Sequence, residues 1–358
     1  MMRIIQLLPT ISYGDAVSND VLAIKNLLIE SGYSTEVYAE NIDKRLSPTI
    51  VNPIKKLKKV TKNDIIIYHL STGTKLNYKI KTFSARKIVI YHNITPSHFF
   101  CGYSSELEQL CREGLKETEY LNDKVEYVLA DSSFNKEELI KMGYKMNIDV
   151  LPIIIPFEDY DKKPNDNILN KYKDDGYINI LFTGRMAPNK KQEDVIKAFY
   201  YYHNYINKKS RLFLVGSCNG LENYDKQLKR YVKLLELDGV IFTGHVKFDE
   251  ILAYYKIADL FLCMSEHEGF CVPLVEAMYF EIPIIAYDNC AIGETLGGGG
   301  ILLKEKDPII TAELINKIMK DTDLKSRIIM NQKERLEYFS NKRVEKLFMN
   351  YLKEFIGD

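Results

Sequence analysis

The chain has 358 residues, 46% hydrophobic and 27% charged, with 19 glycines and 11 prolines, which excludes collagen-like, low-complexity and largely disordered classes. Forty-nine basic side chains against forty-nine acidic ones leave a formal charge of zero, so no whole-protein basic field marks a nucleic-acid partner. A single core rarely grows past roughly 250–300 residues, and two domains are the expectation. The start, Met1–Leu8, is too short an apolar run for a signal peptide, and no stretch approaches the ~20 apolar residues of a bilayer span. Six cysteines lie scattered without a C-x-x-C pair, which fits a cytoplasmic protein with reduced thiols.

In chain order, short apolar strands alternate with amphipathic helices, a pattern that implies parallel sheets covered on both faces. The first half reads as strands at Arg3–Leu8, Thr35–Ala39, Asp64–His69, Lys87–His92, Val125–Asp131 and Asp149–Leu151. A helix over Ser18–Glu30 puts Val21, Ile24, Leu27 and Leu28 on one face and ends at Gly32. A polar, proline-marked run near residue 156 reads as the linker. The grammar then restarts with strands at Ile178–Gly184, Leu212–Gly216, Val240–Gly244, Asp259–Met264 and Pro283–Ala286. Helices over Gln192–Tyr205, Tyr224–Leu237, Val272–Phe280 and Lys342–Phe355 complete it. The expected fold is α/β, two doubly wound Rossmann-like domains facing across a cleft, spanning 1–156 and 157–341. Ligands of such sheets bind beyond the carboxyl ends of the strands.

Two strand-end loops carry chemistry. In Phe261–Met278 an apolar strand gives way to Ser265-Glu-His-Glu-Gly-Phe-Cys271, and Pro273 then opens a helix. Its first N–H groups make an anion site suited to phosphate. Glu276, one turn inside the helix, offers two acceptor oxygens to a ribose, while Glu268 sits across the phosphate and Gly269 admits close backbone approach. A capping acid plus an exposed helix acid is the plainer alternative. In Phe182-Thr-Gly-Arg-Met-Ala-Pro-Asn-Lys-Lys191 a second strand ends through a glycine. There Arg185 and Lys190 can neutralise a diphosphate, the first by its planar fork and the second as a point charge.

Gly184-Arg185-x4-Lys190 followed by Glu268-Gly269-Phe270-x5-Glu276 resembles retaining glycosyltransferases of family 4 with the GT-B fold. The resemblance is close over residues 178–302 and looser before them. It implies that Arg185 and Lys190 hold the diphosphate of a nucleotide-sugar donor, a GDP- or UDP-sugar, with Glu276 on its ribose and Glu268 on its sugar. Gly269, Phe270, Cys271 and Val272 would add backbone contacts; Cys271 stands where the family often has glycine. The resemblance also implies retention at the anomeric carbon, transfer to a glycan or lipid-linked glycan, and a carboxy-terminal helix, 342–358, packed back on the first domain. The Ser265–Met278 segment resembles mannosyltransferases.

In the first half, Pro9-Thr-Ile-Ser-Tyr-Gly-Asp-Ala16 is not G-x-G-x-x-G, which disfavours a dinucleotide site. Gly14 is still able to form a small anion- or sugar-binding turn. His92 ends a strand, and by resemblance it contacts the donor sugar at the reacting centre, with His69 as the alternative. Residues 44–87 carry twelve Lys or Arg against one acid, Asp64. This stretch reads either as a solvated face or as a patch for an anionic membrane, giving peripheral contact at the inner membrane face. Asp321-Thr322-Asp323 matches a metal-binding D-x-D, but its setting fits a helix cap better. No metal or other cofactor is therefore expected. A GT-B-shaped phosphorylase, a sugar-nucleotide epimerase and a non-catalytic sugar- or nucleotide-binding subunit are the alternatives to a transferase.

Overall fold

The computed structural model describes residues 2–47 and 49–357. Met1, Pro48 and Asp358, which fall within the expected spans 1–156, 44–87 and 342–358, lie outside the described residues. The chain divides into two compact units. The first comprises Met1–His98, Glu106–Pro156 and Phe339–Asp358, the second Phe99–Ser105 and Phe157–Tyr338.

The first unit is built on a seven-stranded parallel sheet. Its strands are β1 (Arg3–Ile11), β2 (Ser34–Ile42), β3 (Asn52–Pro53), β4 (Ile65–Leu70), β5 (Arg86–Tyr91), β6 (Tyr127–Ala130) and β7 (Ile148–Val150), in the order β3-β2-β1-β4-β5-β6-β7. Every residue of β4 is buried, as expected of a central strand covered on both faces. The helix Ala16–Glu30 is capped by the Asp15 carboxylate, which accepts from the Ser18 N–H at 3.0 Å, and it buries Val21, Ile24 and Leu28. The helix Asn341–Ile356 lays Val344, Phe348 and Leu352, spaced by four, into the same core as Ile4, Ile24, Leu28 and Ile65. The last helix therefore belongs to the first unit although its sequence follows the second.

The second unit carries β8 (Ile178–Thr183), β9 (Ser210–Val215), β10 (Val240–Gly244), β11 (Leu260–Cys263), β12 (Ile284–Tyr287) and β13 (Ile301–Leu303). They form a six-stranded parallel sheet in the order β10-β9-β8-β11-β12-β13. Its core joins Leu181, Phe213, Phe261 and Ile284 to the helix residues Leu274, Ala277 and Met278. The order reverses between β8 and β11, which pair directly, Leu260 with Ile180. Such a reversal opens a crevice at the strand ends, and the two chemistry-bearing loops leave from these two strands.

Several bounds differ from those read in the sequence. Phe99–Ser105 groups with the second unit, where Tyr103 stands edge-on to Tyr224 at 5.3 Å and Phe99 tilts over His267 at 6.1 Å. The second unit ends at Tyr338, three residues before the expected 341. Two strands are added: β3 has only two residues and β13 three, too short for a period of two to register. Asp321 does cap a helix, Thr322–Leu336, accepting from the Leu324 N–H at 2.9 Å.

Candidate active site

The cationic loop leaves β8 at Gly184, whose N–H donates to the Val215 carbonyl at 3.0 Å. Gly216, at the end of β9, has φ +152°, and a Cβ there would lie 1.9 Å from the Gly184 carbonyl oxygen. Glycine is thus the residue that lets the two strand ends pass each other. Arg185 follows on the surface, where its Nη2 donates to the Asn219 carbonyl at 2.8 Å. Its own carbonyl accepts from Gln192 Nε2 at 3.0 Å, tying the loop to the helix Gln192–Tyr201.

Asn189 joins this loop to the acidic one. The Glu266 N–H donates to the Asn189 carbonyl at 2.7 Å, and Asn189 Nδ2 donates to the His267 carbonyl at 3.1 Å. That seam brings Lys190 Nζ to 2.5 Å from Glu268 Oε2, with side chains 22% and 10% exposed. Burial works against the Lys190 ammonium, but the Glu268 carboxylate outweighs it and raises the amine above its ordinary range. Next to the pair, Lys306 bridges Glu266 at 2.8 Å and Asp194 at 3.1 Å.

Cys271 turns the chain into the helix Val272–Tyr279 at φ +76°, with no side-chain cap and with Pro273 in the first turn. The Phe270 carbonyl is held by Thr295 Oγ1 at 2.5 Å, and the Glu268 carbonyl by the Ala291 N–H at 3.3 Å. Gly269, Phe270 and Cys271 thus lie on a fixed path that ends at an uncapped helix start, the positive end of its dipole. Glu276 lies on that helix and accepts from two tyrosines, Tyr160 Oη at 3.0 Å on Oε1 and Tyr255 Oη at 2.5 Å on Oε2. Tyr255 has one hydroxyl proton to give, so at 2.6 Å Thr183 Oγ1 must be the donor to it. Burial pushes the Glu276 carboxyl up, against the pull of both hydroxyls. Each Glu276 oxygen keeps a further lone pair.

The structure brings Lys190 and Glu268 into contact, sets the 269–272 backbone beside them, and fixes Glu276 by residues of two other elements. Arg185 shares the loop of Lys190 but rests on Asn219. Asn189, Thr295, Tyr160 and Tyr255 were not legible as site residues. Asn189 and Thr295 act through backbone carbonyls, and nothing local separates Tyr160 or Tyr255 from the other 23 tyrosines among the 25.

The remaining candidates belong to the first unit. Gly14 adopts φ +76° with nothing within 4 Å of a would-be Cβ, one residue before the Asp15 cap. The His92 side chain is buried, and its ring nitrogens are engaged with neighbouring side chains. Gln6 Nε2 donates to the Val21 carbonyl at 3.2 Å, so its Oε1, 2.9 Å from His69 Nε2, accepts from that nitrogen. Nδ1 of His69 is then an acceptor, and His92 Nε2 donates to it at 2.9 Å. Nδ1 of His92 lies 2.9 Å from Asp131 Oδ2. With Asp131 ionised, His92 must be the imidazolium; burial opposes that charge, and Asp131 more than restores it, raising His92. His69 is held well below its ordinary range, by burial first and by His92 second. Both histidines therefore serve as parts of one internal network.

Residues 162–335 match the family model described as glycosyl transferases group 1. A capsular polysaccharide biosynthesis glycosyltransferase of Staphylococcus aureus is 27% identical over 213 residues, 56% of this chain and 50% of that protein. An O-antigen chain mannosyltransferase of Escherichia coli is 25% identical over 206 residues, 56% of this chain and 53% of that protein. The chain spans about half the length of the curated relatives it matches. Among solved structures, an Anabaena protein in complex with UDP and glucose superposes with a TM-score of 0.74 at 19% identity, over 98% of this chain and 100% of that one. A glycosyltransferase involved in lipopolysaccharide biosynthesis gives 0.71 at 12% identity, over 96% and 97%. Those likenesses establish the GT-B fold class.

Proposed function

We propose that this chain is a group 1 glycosyl transferase, as the family match over residues 162–335 supports, and that it moves a hexosyl group from a nucleoside-diphosphate sugar to a glycan or lipid-linked glycan. The observation that carries the reading is the Lys190–Glu268 pair. It sits where two strand-end loops meet at the sheet's reversal point, beside the uncapped start of Val272–Tyr279. A diphosphate placed there meets an ammonium with donors to spare and the positive end of a helix. Arg185, released from the Asn219 carbonyl, adds a guanidinium fork from the same loop.

In this mechanism charge develops on the departing diphosphate, and Lys190, Arg185 and the 271–274 helix start stabilise it. Glu276, braced by Tyr160 and Tyr255, takes the ribose hydroxyls on its open lone pairs. Glu268 orients the sugar while remaining paired to Lys190. No side chain is assigned as a nucleophile, and the departing phosphate accepts the acceptor's proton on the same face, which retains the anomeric configuration. The cations already present do the work a divalent metal would do, so full activity is expected to survive EDTA; loss in EDTA with rescue by Mg²⁺ refutes that part.

Mannosyltransferase-named relatives favour GDP-mannose as the donor. The Anabaena structure bound to UDP and glucose keeps UDP-sugars in the screen. Thermal shift against a nucleotide-sugar panel identifies the donor, because a ligand at 100 times its Kd stabilises the native state by about 2.7 kcal/mol. Glu268→Ala, Glu276→Ala and Arg185→Ala each remove a charged hydrogen bond worth roughly 1.5–3 kcal/mol, so transfer should fall about 10- to 150-fold with the fold intact. Unchanged transfer in all three refutes the site.

Membrane contact is part of the proposal. Lys55, Lys56, Lys58, Lys59, Lys62, Lys75, Lys79 and Lys81 are all exposed on the first unit. No helix among the described residues is long and apolar enough to cross a membrane. The lysines would draw the chain to a lipid-linked acceptor electrostatically, each basic residue adding about 1 kcal/mol near anionic lipid.

A further inference from the structure

Two thiols lie under the candidate donor site. Cys263 ends β11, and Cys271 occupies the left-handed turn before Val272–Tyr279; both belong to the core of the second unit and are 1% and 6% exposed. Their sulfurs and a Glu268 carboxylate oxygen lie within 4.8 Å of one another, and Glu268 is also buried. Both cysteines are free thiols, and Cys263 Sγ donates to Ser265 Oγ at 3.4 Å. Among the described residues one other group of His, Cys, Asp or Glu has comparable spacing, Asp20 with His69 and His92. There the two histidine nitrogens face each other at 2.9 Å with near-coplanar rings, 3° apart. That is the geometry of an in-line N–H···N bond, and it leaves no room for an ion between them.

We propose that Cys263, Cys271 and Glu268 form a binding site for a thiophilic divalent cation such as Zn²⁺, and that its occupancy excludes the nucleotide-sugar donor. Tetrahedral zinc takes sulfur at about 2.3 Å and carboxylate oxygen at about 2.0–2.2 Å, which sets ligand atoms about 3.5 Å apart. The present spacing, within 4.8 Å, is of that order, and binding would draw the three ligand atoms together. Two thiolates and a carboxylate are a donor set that softer cations prefer over Mg²⁺ or Ca²⁺. Binding converts two S–H groups to thiolates and releases two protons to solvent, with no change of oxidation state. Three protein ligands leave the fourth position to water.

The exclusion follows from Lys190. Its ammonium sits 2.5 Å from the same carboxylate and cannot remain beside a dication that takes over Glu268. Displaced, it no longer presents its charge where the donor diphosphate would lie. This second half of the inference rests on the proposed donor site; the metal site itself does not.

Co²⁺ titration of the reduced full chain tests both halves. One equivalent should give the intense visible bands of a tetrahedral ion and a near-ultraviolet sulfur-to-cobalt charge-transfer band, both erased by Zn²⁺. Cys263→Ser and Glu268→Gln, which alter different elements, should each weaken Co²⁺ binding at least tenfold while retaining the native circular dichroism spectrum. Absence of the charge-transfer band, or a band of equal affinity in Cys263→Ser, overturns the metal site. Saturating GDP or UDP should weaken Co²⁺ binding in the wild-type chain. Cobalt binding that neither nucleotide affects establishes the metal site and refutes the donor-site reading on which the exclusion rests.

Discussion

Removing Lys190 leaves Glu268 as a carboxylate that is 10% exposed at its side chain and has lost its cation. For a buried ion pair, deleting one partner costs about 3–5 kcal/mol, because the other charge stays desolvated. Partial solvent access on the lysine side, 22%, places Lys190→Met at the lower end, about 3 kcal/mol. Glu268→Gln should cost less, about 1 kcal/mol, since the freed ammonium reaches water through its own exposed face. The double variant leaves no charge unpaired and should also lie within about 1 kcal/mol of wild type. The coupling is then about 3 kcal/mol, worked as a double-mutant cycle on the urea transition of the second unit. Transfer behaves differently: all three variants should be impaired, because a neutral pair cannot hold the diphosphate. Additive stabilities refute the reading that burial and pairing, rather than chance proximity, place Lys190 on Glu268.

Four further outcomes are expected. Gly216→Ala forces a Cβ to within 1.9 Å of the Gly184 carbonyl oxygen, and should weaken donor binding and lower the melting temperature together; a wild-type melt refutes the close crossing. Burial raises the Asp20 carboxyl from 3.8 to about 7. The native state therefore holds a proton that the unfolded chain gives up, and stability should fall as pH rises from about 4 to about 7, then level off. At about 1.36 kcal/mol per unit this amounts to about 4 kcal/mol, and Asp20→Asn should flatten that window in urea midpoints; an unchanged profile refutes it. Phe348→Ala opens a cavity in the first unit's core and should cost about 3–5 kcal/mol there, leaving the second unit's transition in place; a loss confined to the second unit refutes the assignment of the last helix. Anionic liposomes should sediment the native chain, and less of it when Lys55, Lys56, Lys58 and Lys59 are changed to Glu; equal sedimentation ends the membrane proposal.

What could be read in advance follows the range of the forces involved. Buried parallel strands such as β4 and β5 announce themselves because a strand covered on both faces must be apolar along its length, and a glycine leaving a strand before a helix marks a turn whatever surrounds it. Lys190 and Glu268 were legible for that reason: each sits in a strand-end loop, and the sheet's order then makes the two strands neighbours. His92 shows where such reading stops. Its position at the end of β5 was visible, yet its chemistry is decided by Gln6, His69 and Asp131, which come from three other stretches of chain. A histidine's role depends on which partners fix its two nitrogens, and those partners are set by packing rather than by local pattern. The same holds for Glu276, a single acid on a helix in sequence, which Tyr160 and Tyr255 brace from 116 and 21 residues away. Cys271 is the instructive case between the two. Its departure from glycine was plain in the motif, but the left-handed backbone it tolerates and the second thiol that waits beneath it, on β11, emerge only once strand and helix are packed against each other.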